Sequence, residues 1–215
     1  MSSKGVAVVG ATGLFGKEIS LSLLKFGHKV AAFTRNIDDK KSIIEELQKA
    51  GATVVEIPDY TDETAVANAF RGHKVDTVIC AASGTAHILK DVQGHIIDAA
   101  VKSGTVERFC PDEFGLHTGA TPWGISEMID AKKEMQEKVR NSGLKWTCIL
   151  VAGLFSYFLP SLKRKGGFVE SYGNVDVISH NNSLEDAGLM IALAATDDRT
   201  VNKNVQFQYN PVVTF

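Results

Sequence analysis

Apolar residues fall into short continuous runs, separated by longer stretches in which they recur every three or four positions. The first run, "GVAVVG", precedes a stretch whose apolar positions Leu14, Ile19, Leu23 and Leu24 share one helical face. The succession repeats as "KVAAFTR" then "KKSIIEELQKA", "ATVVEIP" then "DETAVANAF", and "KVDTVICAA" then "AHILKDVQGHIIDAAVKSG". "VERFCP", a helix over "SEMIDAKKEMQEKVRNSG" and "KWTCILV" continue it. Runs that are apolar throughout, rather than alternating, belong to strands covered on both faces. Repeated β-α-β order with right-handed crossovers predicts an α/β fold: a Rossmann-type, doubly wound parallel sheet. Gly51, Gly104 and Gly143 each close a helical pattern, where a left-handed residue favours glycine.

Between the first strand and the first helix stands "GATGLFG", spaced Gly-x-x-Gly-x-x-Gly. A tight strand-to-helix turn needs residues without Cβ clashes, and a pyrophosphate needs bare backbone to approach. The N–H groups and dipole of the following helix then face the phosphates. Glycines alone could serve packing, but their place at the head of a βαβ series predicts nucleotide binding. The candidate cofactor residues are Gly10, Thr12, Gly13, Leu14, Phe15 and Gly16, with Ala82 and Ser83 after the fourth strand.

The end of the second strand selects the nucleotide. An acidic residue there binds the ribose of NAD, and a basic one accepts the 2′-phosphate of NADP. Here "AFTRN" places Arg35 at that point, with Lys40 and Lys41 following. A guanidinium can grip phosphate through parallel hydrogen bonds, so NADPH/NADP is the expected cofactor. For the lysines a solvated helix face remains an equal reading.

After Val151 the pattern changes. "AGLFSYFLPSLKRKGGFVESYGN" mixes aromatics, proline and glycines, and "VDVISH", "SLEDAGLMIALAA" and "NVQFQYN" then read as strand, helix and strand. Ser183 is placed to cap that helix. Residues 1–152 are thus expected to form the dinucleotide-binding domain. Residues 153–215 are expected to finish the sheet as a small C-terminal extension over the cleft, not an independent domain. Phe114 and Phe155, near the carboxyl ends of strands, are candidate substrate contacts, with Tyr157 and Phe158 in part core.

Composition adds mainly exclusions. A net charge of −2 gives no general affinity for nucleic acid, and no apolar run approaches the roughly 20 residues of a membrane helix. The first strand begins within a few residues of Met1, so no secretory leader is expected. Cys80, Cys110 and Cys148 each sit in an apolar run and read as buried thiols, neither disulfide-bonded nor metal-binding. A cytoplasmic protein with no metal is expected.

"VQGHIIDAAVKSGTVERFCPDEFG" then resembles the NmrA-like and isoflavone reductase-like proteins. These are atypical short-chain dehydrogenases that include phenylcoumaran benzylic ether and pinoresinol–lariciresinol reductases. Their GxTGxxG start is matched by "GATGLFG", and their basic residue after the second strand by "TR" at 34–35. Their PSEFG run is matched by "PDEFG", with Asp112 where serine is usual. "GLFSYFLPSL" and "DDRTVNKNVQF" resemble later segments.

The resemblance implies a catalytic lysine on the helix after that run, eleven residues before its closing glycine, which is Lys132. It would touch the nicotinamide ribose and assist proton transfer, work that needs burial or a nearby charge. Position 128 is methionine, so the Tyr-x-x-x-Lys pair of main-line relatives is absent. Lys133, Lys138 and Arg140 are expected to be solvated charges of the same helix. His117 is expected to be a solvated loop side chain.

The resemblance further implies hydride transfer from NADPH to a small aromatic or phenylpropanoid-like metabolite. The alternative is an NmrA-like redox sensor that binds NADP without turnover. The family's reductases run longer, with a C-terminal portion over the substrate. The expected pocket is therefore open, or completed by a homodimer or a regulatory protein partner.

Overall fold

The computed structural model describes residues 3–82, 85–115, 117–155 and 181–207. Its strands are β1 (Gly5–Val9), β2 (Lys29–Thr34), β3 (Thr53–Glu56), β4 (Thr77–Cys80), β5 (Arg108–Cys110), β6 (Lys145–Leu150), β7 (Gly153–Leu154), β8 (Asn181–Asn182) and β9 (Lys203–Gln206). Seven of these form one sheet in the order β3-β2-β1-β4-β5-β6-β9, with every pairing parallel. β7 and β8 pair separately. The order reverses between β1 and β4, opening a crevice at their carboxyl ends.

The helices are α1 (Leu14–Lys25), α2 (Lys41–Lys49), α3 (Glu63–Gly72), α4 (Ala86–Ser103), α5 (Glu127–Asn141) and α6 (Leu184–Thr196). Successive strand residues feed opposite cores, as the two-residue strand period requires. Val6, Val8, Val30 and Ala32 pack with Ile19 and Leu23 of α1, Leu47 of α2 and Ile191 of α6. Ala7, Val9, Ala31 and Phe33 pack with Phe70 of α3, Ile96 of α4 and Val139 of α5. The expected doubly wound sheet is present.

Helix ends follow the sequence signals. Gly51, Gly104 and Gly143 take positive φ after α2, α4 and α5. Ser183 accepts a hydrogen bond from the Asp186 N–H and caps α6. Cys80, Cys110 and Cys148 are buried free thiols, and burial pushes the latter two up to about 12.

The described part of the C-terminal region extends the sheet rather than lying over the crevice. β9 pairs with β6, and α6 packs on α1 so closely that a Cβ on Gly188 would meet the Glu18 Cβ at 2.6 Å. "VDVISH", Tyr157 and Phe158 lie outside the described residues.

A buried arginine ties this region to the first domain. Arg108 of β5 donates to Ala195 O at 2.6 Å and Asp197 O at 2.9 Å, carbonyls at the C-terminal end of α6. A cation at that end complements the helix dipole as well as the unpaired carbonyls. Arg108→Met is expected to cost about 2–4 kcal/mol in urea unfolding, since charged hydrogen bonds are lost and buried acceptors stranded. A loss within about 0.5 kcal/mol, the usual range for a neutral surface change, would mean the contact carries no stability.

Candidate active site

The crevice at the switch point encloses about 340 Å³. Gly10, Thr12 and Gly13 form one wall, Thr34–Asn36 and Lys40 a second, and Ala81, Ala82, Ile88 and Val92 a third. Pro58, Asp59 and Tyr60, after β3, complete it.

Steric limits explain the glycine spacing. Gly10 has φ +81°, and a Cβ there would meet Ala81 O at 2.4 Å. A Cβ on Gly16 would meet Gly10 O at 2.1 Å and the Ala11 Cα at 2.8 Å. Gly10 thus lets β1 turn beside β4, and Gly16 lets α1 sit directly on the turn. Gly13 donates to Gly10 O at 2.8 Å and begins α1, whose first turn has no side-chain cap and no acidic residue. Its uncapped N–H groups and positive dipole end suit an anion. The turn is pinned to β2, because the Gly10 and Ala11 N–H groups both donate to Phe33 O at 3.1 Å.

Arg35 stands exposed on the crevice wall and makes no ion pair with any described residue. Lys40 takes φ +54° and donates through Nζ to Thr12 O at 3.1 Å, bringing its ammonium to the turn. Lys41 instead points to Asp38 at 3.2 Å. Asp59 also lines the crevice, but Thr61 occupies its Oδ1 and holds its carboxyl below the usual range. The wall therefore offers unpaired positive charge to a phosphate.

Lys132 sits half-buried on α5 and donates through Nζ to Glu113 O at 2.6 Å. The next residue, Phe114, takes φ +29° and packs its ring against Phe15 of α1 at 5.4 Å between centroids. The Phe114 N–H donates to Ile149 O at 3.0 Å, fixing the segment to β6. Lys132 and the glycine turn are therefore joined through Glu113, Phe114 and Phe15. Phe114 is buried in the core rather than exposed on a wall, and neither it nor Phe155 lines the crevice. Phe155 follows β7 and is half-buried. Ser83 lies outside the described residues; Leu14 is exposed in the first turn of α1.

One expectation about α5 is corrected. Lys133 is buried: its ammonium donates to Thr121 O and lies 4.7 Å from the centre of the Trp123 ring. Glu113 on one side and residues 117–123 on the other come against the helix, so adjacent lysines find two different carbonyls. Lys138 pairs with Asp98 at 2.6 Å, and the Arg140 guanidinium lies 4.6 Å from the Trp146 ring centre. His117 is exposed, as expected.

Three features had no sequence signal. Tyr60 lines the crevice with a buried hydroxyl directed at the Gly10 backbone, and burial raises its pKa. Glu113 is buried, accepts from the Thr118 hydroxyl at 3.2 Å, and has its pKa raised by desolvation. Gln136 donates to the same hydroxyl at 2.8 Å, completing the chain. Elsewhere, Glu63, His95 and Asp98 bring ligand-type atoms together, but His95 already bonds Glu63 at 2.9 Å and Lys138 holds Asp98.

The sequence profile of the NmrA-like family matches residues 2–210. The chain belongs to the NmrA-like family. It is 30% identical to pinoresinol reductase 2 of Arabidopsis thaliana, over 93% of this chain and 67% of that one. It is 27% identical to isoflavone reductase of Pisum sativum, over 94% and 69% respectively. Among solved structures, an isoflavone reductase superposes with a TM-score of 0.83 at 25% identity, covering 97% of this chain and 71% of that one. AtPrR2 with NADP+ and (+)-pinoresinol gives 0.77 at 27% identity, covering 96% and 70%. This NmrA-like chain thus shares its sheet with reductases of plant phenolics and spans about two thirds of their length. Among its described residues no helix is long and apolar enough to cross a membrane.

Proposed function

We propose that this protein is an NADPH-dependent reductase acting on a small aromatic, phenylpropanoid-like molecule. The observation that carries this reading is the continuous path from the anion-ready glycine turn, through Phe15 and Phe114, to the Lys132 ammonium. The family's reductases of pinoresinol and isoflavone, and the NADP+ in one solved relative, support it.

The residues present fit the dinucleotide. The turn at Gly10–Gly13 and the start of α1 receive the pyrophosphate, Arg35 and Lys40 grip the 2′-phosphate, and Ala82 gives the cofactor a close wall. When bound, NADPH supplies the hydride. Lys132 supplies the accompanying proton to the substrate oxygen, held in place by its bond to Glu113 O. Phe155, beyond the sheet, is the aromatic proposed to contact substrate.

Purified protein mixed with NADPH and a panel of pinoresinol, enones and quinones is expected to consume the cofactor with at least one of them. Binding of NADPH without turnover on any would instead identify a cofactor sensor. Arg35→Ala is expected to weaken NADPH binding by about 10- to 100-fold, the worth of charge-assisted phosphate bonds. NADH binding, measured by the same fluorescence titration, should change little. An equal loss for both cofactors would remove Arg35 from the phosphate site.

A further inference from the structure

At the start of α5 an apolar surface stands open to solvent. The helix buries Ala131, Met135 and Val139 along one stripe, recurring at four-residue steps. Met135 and Val139 join the core on that side of the sheet. Met128 lies seven residues before Met135 and continues the stripe, yet it is 37% exposed. The stripe has run past the edge of the core. Because α5 follows β5 in a parallel sheet, its first turn stands at the carboxyl ends of the strands, where such sheets bind ligands.

Two more apolar side chains precede Met128: Trp123 is 55% exposed and Ile125 69%. An apolar residue just before an N-cap usually packs on the fourth residue of the helix. Here Ser126 is the N-cap and that fourth residue is Asp130, so Ile125 is not fastened in this way. The segment is nonetheless pinned. The Lys133 ammonium holds Thr121 O and lies over the Trp123 ring, and the Gly124 N–H donates to Asp130 Oδ2 at 2.9 Å. An apolar surface that is both fixed and exposed marks a binding site.

Its neighbour indicates what it binds. Met128 and Lys132 are four residues apart on one helical face, and a helical side chain reaches back over the preceding turn. The Lys132 ammonium gives one of its three N–H groups to Glu113 O. An oxygen held by another would carry its attached group against Met128. A thioether and an indole both favour contact with aromatic rings. We propose that Met128, Ile125 and Trp123 form the seat for the substrate's aromatic ring and select which rings reach Lys132. The proposal rests on the reductase reading of Lys132 for the fate of the seated molecule.

Trp123 reports on the seat directly. In a Trp146→Phe background it is the chain's single tryptophan. Pinoresinol, an isoflavone or 1,4-naphthoquinone, added to protein holding NADP+, is expected to quench its fluorescence to saturation. Met128→Ser and Ile125→Ser should each weaken that binding about tenfold, the worth of lost apolar contact with the ring. Met128→Leu should stay near the wild type. In turnover, the serine variants should raise KM for the quenching compound about tenfold and leave kcat within about twofold. KM for a short alkyl enone, which carries no ring, should not change. No saturable quenching by any of these compounds, or quenching and KM that both serine variants leave unchanged, would overturn the seat, while turnover would keep the reductase reading standing. Quenching that the variants weaken, with no turnover of any compound, would bring down the reductase reading and keep the seat. A wild type that sediments as a dimer and separates into monomers on Met128→Asp would make this surface a contact between copies, overturning the seat.

Discussion

Lys132→Ala is expected to lower turnover by about 10²- to 10⁴-fold, the usual worth of a positioned proton donor. The loss should fall on the chemical step. On the proposed reading the cofactor phosphates are held at Arg35, Lys40 and the glycine turn, which line the crevice, so NADPH affinity should drop only a few-fold, about one hydrogen bond to the ribose. Lys132→Arg should not rescue, because a guanidinium keeps the charge but does not release its proton near neutral pH. Stopped-flow kinetics with NADPH separates the two effects. Turnover by Lys132→Ala equal to that of the wild type would sink the role of this side chain.

The second large effect is steric. Gly16→Ala puts a methyl 2.1 Å from Gly10 O and 2.8 Å from the Ala11 Cα, both backbone atoms that cannot swing aside. Either α1 moves off the sheet or the turn opens, and both outcomes destroy the crevice. We expect a loss of more than about 2 kcal/mol in urea unfolding, together with loss of NADPH binding. Gly72→Ala is the control. It ends α3 with nothing within 4 Å of the added methyl and no positive φ. That substitution should be neutral or stabilising by up to about 1 kcal/mol. Equal melting of the two variants would show that crowding at the turn is not what the third glycine prevents.

The sheet was legible because each strand is buried on both faces and each helix on one, so the two periodicities alternate cleanly along the chain. The glycine turn and Arg35 were legible because local backbone needs and a fixed position after β2 determine them. Lys133 was not. Its burial depends on residues 117–123 returning over α5, a tertiary event with no periodic trace, and "KKEMQEKVR" reads as a charged face until Trp123 is placed. Tyr60 and the Glu113–Thr118–Gln136 chain were hidden for the same reason, since their partners are brought together by three separate elements. Phe114 reads as a crevice residue from its place after a strand, but its ring packs inward onto Phe15, a contact between separate elements with no local signal.

The Arg108 contacts have a bearing on how the chain is made. The guanidinium leaves the ribosome 87 and 89 residues before the two carbonyls that will receive it. Until those residues emerge, β5, an interior strand of the sheet, holds a cation without these two acceptors in a place meant to be dry. The nucleotide-binding half is therefore expected to settle less firmly during synthesis than N-terminal domains commonly do. Its completion waits for α6, and a nascent chain stalled before that helix should remain open to chaperones and proteases.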